Sequence, residues 1–572
     1  MGTWNRLGAI ALIVMLAVGC AGPRIADPSG TAEGSGVRTE QSFKRITAAI
    51  RGSPVSMAQE RAGRGNTVRG LDGLQEVVHA GFSYLKADGN RAPQLAEAVP
   101  TIENGLWRLF PDGRMETTWT IKPTARWQDG TPITTDDLLF TAAVEQDKEL
   151  EQVPYPEYDL IESISTPDAR TFTITWKRPY IEADAVFSYR AAGLPMPKHL
   201  LEKAFNEDKG TFLALPYWNE QFVGAGAFRV REWVRDSHTV LRVHDDYVLG
   251  RPKIDEIEVK FIPDNNTLLA NVLAGLDLTL GKTISLDMAL QARDQWQGGR
   301  MEAMPQNWTP LNPQFINPDP PVVGNVRFRR ALLQALDRQQ LAEFVFSGHG
   351  SVAHSYIDPT APLYHLVEPS IVKYEHDPRR AAQAIEALGY VKRQDGFYYD
   401  PAGQKLAVSI QAPVQNDIHL KTTAPVADMW QQLGVAVDQV PVPVQRMTDR
   451  EYRATFPAFE IVERRNSLTV SEIWRLHSSQ TPLPENAFRA PGTTRYRHVE
   501  LDAWLERYAA TIPVTERMQA LAGLVRHQTE NLTHLPIFYG ADPTLISNRL
   551  INVTARGDAF TQAWNIQEWD VK

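Results

Sequence analysis

Residues 222–262 read FVGAGAFRVREWVRDSHTVLRVHDDYVLGRPKIDEIEVKFI and contain three candidate strands. Short runs of apolar and β-branched residues flank the turn signal Arg235-Asp236-Ser237, which predicts a hairpin. At 255–262 apolar residues alternate with charged ones, as in a strand with one face in water. Gly224 and Gly226 precede the first strand, where the backbone needs either a positive φ or close approach to a neighbour. The stretch therefore predicts a sheet, and it has no motif for making or breaking a bond.

The length of the chain predicts more than one domain. Its 572 residues exceed the roughly 250–300 at which a single hydrophobic core stops growing, so two or three domains are expected. Hydrophobic residues make up 43% and charged residues 22%, which is ordinary for a globular protein. A net charge of -9 and the lack of a basic patch with interleaved aromatics argue against nucleic acid as a partner.

The amino terminus carries targeting signals. The apolar run LGAIALIVMLAV at 7–18 follows a single charge, Arg6, and is shorter than the roughly 20 residues that span a membrane, as in a signal peptide. It ends at Gly19-Cys20, which resembles a lipobox, where the cysteine is lipidated and becomes the new amino terminus. Residues 21–40 have the composition of a flexible tether. The alternative is an uncleaved signal anchor with a stray cysteine.

A capped helix is predicted from ARWQDGTPITTDDLLFTA at 125–142. Asp129-Gly130 closes a tight turn, and Thr134 or Thr135 can cap the helix that follows. Asp136 and Asp137 fall in the first turn, where the helix dipole favours negative charge. Adjacent residues on a helix point apart, so we interpret this carboxylate pair as capping and not as an acid–base pair.

Two further segments predict helices by different signals. Residues 326–340, VRFRRALLQALDRQQ, place apolar side chains at i, i+3, i+4, i+7 and i+8, which predicts one helix with a buried stripe. Residues 377–390, DPRRAAQAIEALGY, offer Asp377 as N-cap, Pro378 at the first position and Gly389 after the last turn. Helices at 501–508 and 516–528, followed by a strand at 534–539, are expected near the carboxyl end.

Signatures of catalysis are missing from the sequence. There is no H-E-x-x-H and no complete G-x-S-x-G, and Cys20 is the only cysteine. Gly281-Lys282-Thr283 does not have the spacing of a phosphate-binding loop. The four loop histidines have spacings that match no ligand set on one helix: His349, His354, His365 and His376. We therefore predict no catalytic residue, no cofactor and no metal site.

The motifs together resemble family 5 of the bacterial extracellular solute-binding proteins, the dipeptide, oligopeptide and nickel receptors of ABC importers. The family's Gly-Thr-Gly-Pro-Tyr, Trp and Asn-x-x-Tyr-x-x-Gly-x-Pro pattern has its counterparts in residues 224–228, Trp233 and residues 244–252. The segments ARWQDGTP, VRFRRALLQALDR and DPRRAAQAIEALGY also match. The resemblance extends from about Lys44 to Tyr539, with Ala225, Ala227 and His244 departing from the usual residue types.

The resemblance implies an α/β, type II periplasmic-binding-protein-like fold, with two lobes made of three domains and a discontinuous first domain. The expected boundaries are a signal peptide (1–19), a lipidated cysteine and tether (20–42), domain I (43–85, 218–280 and 531–572), domain II (86–217) and domain III (281–530). Residues 534–539 would return the chain to domain I.

The resemblance also places a candidate ligand site. In peptide-binding members an Asp in a Gly-Trp-x-x-Asp-Tyr-like segment of domain III pairs with the ligand's amino group. The corresponding residues 459–477 have neither the Trp nor the Asp at the positions of that motif. Arg464 and Arg465 stand there instead, which favours an anionic or carboxylate-bearing ligand, or one without a free amine. The alternative is that these arginines are a solvated surface pair. Trp308 is either a second residue that contacts the ligand or a residue packed in the hydrophobic core. The candidate ligand-binding residues are Glu463, Arg464, Arg465, Asn466, Trp308, Gly224 and Gly226.

The expected function is that of the substrate-binding component of an ABC importer. It would capture a peptide or peptide-like solute in an interdomain cleft and deliver it to a membrane permease, with the permease and ATPase as separate chains. The protein is expected to be a monomer, periplasmic, and anchored to the bacterial membrane through lipid at Cys20, with no enzymatic activity. Two alternatives remain: a secreted hydrolase on the same scaffold, and a ligand-sensing or chaperone lipoprotein.

Overall fold

The computed structural model describes residues 42–58, 68–150, 155–189, 191–305, 307–492, 494–557 and 561–572. The predicted signal peptide, Cys20 and the tether up to residue 41 lie outside these ranges. Residues Phe43–Lys572 form one unit. A search of the described helices finds none with the length and apolarity needed to cross a membrane.

The strands, in chain order, are β1 (Arg45–Ile50), β2 (Ser83–Leu85), β3 (Arg91–Pro93), β4 (Trp107–Leu109), β5 (Met115–Thr120), β6 (Ile161–Ser165), β7 (Thr171–Trp176), β8 (Phe228–Val234), β9 (His238–Val243), β10 (Glu256–Phe261), β11 (Leu278–Thr279), β12 (Gly299–Met304), β13 (Asn307–Pro313), β14 (Ser351–Val352), β15 (Val391–Lys392), β16 (Tyr398–Tyr399), β17 (Ala407–Pro413), β18 (Ala436–Val442), β19 (Phe459–Ile461), β20 (Arg464–Arg465), β21 (Leu535–Tyr539), β22 (Asp542–Ser547), β23 (Leu550–Ile551) and β24 (Asp570–Val571).

The α-helices are α1 (Leu71–Val78), α2 (Thr135–Glu145), α3 (Lys198–Glu207), α4 (Lys209–Phe212), α5 (Asn265–Leu273), α6 (Leu286–Gln295), α7 (Val326–Gln334), α8 (Arg338–Phe346), α9 (Tyr364–Val367), α10 (Pro378–Glu386), α11 (Asp417–Leu433), α12 (Arg450–Ala454), α13 (Val470–Ile473), α14 (Val499–Ala510) and α15 (Val514–Asn531).

The first large sheet has the strand order β12-β22-β11-β1-β10-β9-β8. Strand β1 lies at its centre and pairs in parallel with β10 and β11, while the outer strands pair antiparallel. The three strands expected in residues 222–262 are confirmed as β8, β9 and β10, with the hairpin turn at 235–237. Ile257, Val259 and Phe261 are buried, as the alternation predicts.

A smaller antiparallel sheet has the order β4-β5-β7-β6, and the loop between β6 and β7 meets the start of helix α2, where the Thr135 N–H donates to the Ala169 carbonyl at 3.0 Å. The predicted cap of α2 is confirmed: Thr134 and Asp137 form a reciprocal capping box. Buried Asp137 also accepts a hydrogen bond from the backbone N–H of Lys198 at 2.9 Å, so the cap fixes the start of α3 as well.

The second large sheet has the order β14-β21-β13-β19-β17-β18, with β20 paired to β13. The single helix expected at 326–340 is wrong, because the chain forms α7 and α8 with a break between them. Asp337 ends the run by accepting a hydrogen bond from the Gln340 N–H at 2.9 Å, so it caps a new helix. The cap and proline predicted for 377–390 are confirmed in α10.

The chain passes between the two large sheets twice. The first crossing lies between β12 and β13, and the second between β21 and β22. The two run side by side, since the Gly540 N–H donates to the Asn307 carbonyl at 2.8 Å. The expectation that residues 534–539 return the chain to the first domain is therefore wrong for this strand. Strand β21 pairs with β13 and β14 in the second sheet, and only β22 joins the first.

The glycine pair of the opening stretch lies against the end of helix α1. Helix α1 ends at Val78, whose carbonyl accepts hydrogen bonds from the Gly226 N–H (3.1 Å) and from Gln128 Nε2 (2.9 Å). The buried Gln128 amide also bonds the backbone of Gly224 and Phe228. A Cβ at Gly226 would overlap the backbone of Val78 and His79. Close approach, and not positive φ, explains these glycines.

We predict that Gly226→Ala destabilises the protein by about 1–3 kcal/mol, because the added methyl forces backbone atoms apart in a filled interior. The measurement is the denaturant unfolding midpoint. The matched control is Gly324→Ala, whose Cβ would meet only the Pro318 ring at 3.9 Å. Equal midpoints for the two variants would contradict the packing role of Gly226.

Candidate functional site

A cleft of about 410 Å³ lies at the two crossings, between the large sheets. Residues beside the first sheet form one wall, and residues beside the second sheet form the other. The lining is mostly polar and carries both signs of charge. The side chains used below are Lys282, Asp287, Asn307, Asn416, Lys421, Glu463, Arg465 and Asp542.

Ion pairs surround this cleft. Lys282 Nζ lies 2.9 Å from Asp542 Oδ2, at the start of β22. Burial raises the pKa of the Asp542 carboxyl above its usual range, and the Lys282 ammonium opposes that shift. Lys421 of α11 reaches Asp287 of α6 at 2.6 Å and so joins the two walls. Because this second pair is exposed, it contributes little stability and can open.

Glu463 is held by neighbours of its own wall. Its carboxylate accepts hydrogen bonds from Asn307 Nδ2 (3.0 Å) and Asn416 Nδ2 (2.9 Å), and its backbone N–H donates to His419 Nε2 (2.8 Å). Burial lowers the pKa of the His419 imidazole, which leaves the ring neutral and able to accept that bond. Glu463 therefore positions the strand that follows it.

Arg464 lines a second, smaller cavity of about 50 Å³ behind that strand, together with Trp308, Tyr356, Gln528 and His534. Burial lowers the pKa of the Arg464 guanidinium to about 10. Among the described residues, Arg464 Nε, Tyr356 Oη and Gln528 Oε1 are buried without a hydrogen-bond partner. Buried polar atoms in native structures are nearly always paired, so three around one cavity mark a place where a polar group can bind.

Trp308 fits both interpretations that the sequence left open. It is 6% exposed, and its ring centroid lies 5.5 Å from that of His534 and 6.4 Å from that of Tyr356. On β13 it stands opposite Arg464 of β20. The ring is therefore a packed residue that also forms the floor of the Arg464 cavity.

The structure brings most of the predicted site residues together. Arg464 of β20 pairs with Trp308 of β13, Glu463 and Asn466 flank β20, and Arg465 lines both cavities. Asn466 keeps its Oδ1 buried and without a partner in the described part of the chain. Gly224 and Gly226 stand apart, packed on α1 and absent from both linings.

Sequence reasoning missed several residues of the site: Lys282, Asn307, Tyr356, Asn416, Gln528, His534 and Asp542. They come from distant segments that only the tertiary fold brings together. Lys282 stands in the Gly281-Lys282-Thr283 run that the sequence analysis rejected as a phosphate-binding loop.

Comparison with known proteins gives one family. The family model for bacterial extracellular solute-binding proteins, family 5 (middle region), matches residues 92–461, which is more than half of the chain. A curated relative, a probable ABC transporter-binding protein of Deinococcus radiodurans, is 23% identical over 405 residues. The alignment covers 66% of each chain, so this chain spans just under two thirds of that relative's length.

Solved structures share the fold. An oligopeptide-binding protein from Thermus thermophilus, complexed with a pentapeptide, has a TM-score of 0.69 at 22% identity, with 92% of this chain and 96% of that chain covered. NikA from Brucella suis, in complex with Fe(III)-EDTA, has a TM-score of 0.74 at 17% identity, covering 92% and 100%. The α/β periplasmic-binding-protein fold expected from the sequence is confirmed.

We predict that the stability of the protein depends on pH through His534. Burial, reinforced by the Arg464 charge, lowers the pKa of this imidazole to about 3, whereas in the unfolded chain its pKa is about 6.5. Between these values only the unfolded state takes up the proton, so the free energy of unfolding falls as pH drops below about 6.5.

The test compares His534→Gln with the wild type by denaturant unfolding. When the pH is lowered from 7 to 4.5, the free energy of unfolding should fall by about 2–3 kcal/mol more in the wild type than in His534→Gln. The reason is that each pH unit below about 6.5 corresponds to about 1.36 kcal/mol for this histidine. Exposed His349→Gln serves as the control. A difference that does not change with pH would contradict a buried neutral His534.

Proposed function

Because the chain belongs to family 5 of the bacterial extracellular solute-binding proteins, we propose that it is the substrate-binding component of an ABC importer. The observation that carries the proposal is the polar cleft at the two crossings, with the Arg464 cavity beside it. A cleft between two sheets can enclose a small solute, remove its water and bind it through a few polar groups. No bond need be broken, and the proposed role is binding without catalysis.

The proposed ligand carries a carboxylate. A guanidinium that is largely buried, with Nε unpaired, stabilises an anion more strongly than an exposed one does, because there is less water to screen the charge. Arg465 lies one residue on and lines both cavities, so one ligand can contact both arginines. Tyr356, Gln528 and Trp308 offer a hydroxyl, an amide and an aromatic face for the rest of the solute.

Ligand capture would use the crossings as a hinge. In the described part of the chain, the segments joining β12 to β13 and β21 to β22 are the two connections between the large sheets, so small rotations there change the width of the cleft. The exposed Lys421–Asp287 pair joins the two walls and is weak enough to separate. We therefore propose domain boundaries at the two crossings, so that residues 307–539 move as one part relative to the rest of the chain.

The rest of the proposal concerns the setting of the protein. The signal-like run at 7–18 and Cys20 support export and lipid anchoring at a bacterial membrane. The partners are an ABC permease and its ATPase, carried by separate chains, and the protein acts as a monomer. Relatives bind a pentapeptide in one structure and Fe(III)-EDTA in another. Both solutes carry carboxylates, and the experiment below includes each.

We predict that peptides with a free carboxyl end bind more tightly than the same peptides with an amidated end. The test is calorimetry with a pentapeptide library in both forms, and with Fe(III)-EDTA as a separate arm. Arg464→Gln should weaken binding of the free-acid form about tenfold to a hundredfold, as expected for loss of a charge-assisted hydrogen bond. It should leave the amidated form unchanged.

The matched control is Arg526→Gln, which removes an exposed arginine that pairs with Glu530 on α15. Equal affinity of the wild type and Arg464→Gln for the free-acid peptides would rule out Arg464 as the carboxylate contact. Absence of binding to every peptide, with binding of the chelate alone, would assign the cleft to anionic chelates.

A further inference from the structure

Two histidines and a glutamate converge at the open end of a helical hairpin, away from the motifs that the sequence singled out. His498 and Glu500 stand at the start of α14, and His527 lies near the end of α15. One potential ligand atom from each side chain lies within 4.8 Å of the others. The chain itself joins the two helices at residues 511–513, so this cluster is at the opposite end of the pair.

We propose that His498, Glu500 and His527 form a binding site for a divalent cation of the class that prefers imidazole ligands, such as Zn²⁺. Two imidazoles with one carboxylate suit such cations, and three protein ligands leave a position for solvent. Ligand atoms around a tetrahedral metal lie closer together than 4.8 Å, so small side-chain rotations would complete the site.

His527 is already oriented as a ligand. It is 5% exposed, with Nδ1 lying 3.4 Å from the Glu500 carboxylate and Nε2 lying 3.1 Å from the Tyr496 hydroxyl. If Nδ1 binds the metal, Nε2–H can donate to Tyr496. Such a hydrogen bond to the far nitrogen fixes the tautomer and ring orientation of metal-binding histidines. Tyr496 is thus a positioning residue.

His498 brings the second imidazole close to the first. Its ring centroid lies 4.7 Å from that of His527, and it stacks nearly parallel to Tyr496. Its Nδ1 accepts a hydrogen bond from the Glu500 N–H at 3.3 Å. This is at the long end of the hydrogen-bond range, so a metal can replace it at small cost.

The neighbouring carboxylate and imidazoles explain why a cation would be favourable here. A neutral imidazole offers the lone pair of its unprotonated nitrogen to a metal, and the facing rings of His498 and His527 place two imidazoles within reach of one cation. Glu500 is 61% exposed and supplies negative charge that a cation would partly neutralise. The site is open to solvent on that side, which gives the ion a path in.

A metal at this position would join the free ends of α14 and α15. The residue after His527 is Gln528, which lines the Arg464 cavity. Binding would therefore restrict the helix turn that presents Gln528, without contributing a group to that cavity. The inference does not depend on what the cleft binds.

The test is calorimetry with ZnCl₂ on untagged protein freed of metal by EDTA and dialysis. One equivalent should bind to the wild type. His498→Asn removes the imidazole but keeps a good N-cap residue for α14, and should weaken Zn²⁺ binding by more than about tenfold. Glu500→Gln should weaken it similarly. Tyr496→Phe keeps the ring and should weaken it about tenfold.

The control is His349→Asn, which removes an exposed histidine elsewhere and should bind Zn²⁺ as the wild type does. Thermal unfolding of each variant without metal checks that the fold is retained, and a rise in Tm with ZnCl₂ should be seen only where the cluster is intact. Zn²⁺ affinities that are equal in wild type, His498→Asn and His349→Asn would overturn the proposal, as would a wild type that takes up no Zn²⁺.

Discussion

The paired crossing of the chain between the two large sheets is the constraint on which the rest of the structure depends. Strands β12 and β22 pair in the first sheet, β13 and β21 pair in the second, and the Gly540 N–H to Asn307 carbonyl bond holds the two connections together. Because the crossings are adjacent, the sheets cannot separate there, and any opening must occur away from them. The cleft begins where Asn307 and Asp542 leave the crossings, so hinge and candidate site share residues.

Some polar groups of the site have hydrogen-bond partners and others lack them among the described residues. This difference indicates which groups hold the site in place and which can bind a ligand. Glu463 has both carboxylate oxygens bonded to asparagines, so it fixes the position of the following residues. Arg464 is next in the chain, yet it points to the smaller cavity with its Nε unpaired in the described part of the chain. A buried charge without a full set of partners is costly for folding. A ligand that supplies the missing acceptor recovers part of that cost on binding.

Local signals in the sequence predicted much of the fold. The alternation of apolar and charged residues at 255–262 and the turn at 235–237 predicted β8, β9 and β10. The capping residues predicted the starts of α2 and α10. Where two local signals competed, the cap at Asp337 prevailed over the apolar periodicity of residues 326–340.

Long-range contacts could not be predicted in the same way. The packing of Gly226 on Val78 and the second-sheet pairing of β21 depend on partners far along the chain. Of the candidate site, Trp308 and residues 463–466 were found through the family resemblance. Tyr356 and Gln528 were missed, because nothing near them in sequence distinguishes them from core residues.

The most direct measurement of the central claim is hydrogen–deuterium exchange of the backbone with and without the free-acid pentapeptide library. Capture between two walls predicts slower exchange on both sides of the cleft, at residues 282–287 and at 462–468, and little change in the smaller sheet at 107–176. Slower exchange on one wall only, or in the smaller sheet with both walls unchanged, would contradict the account.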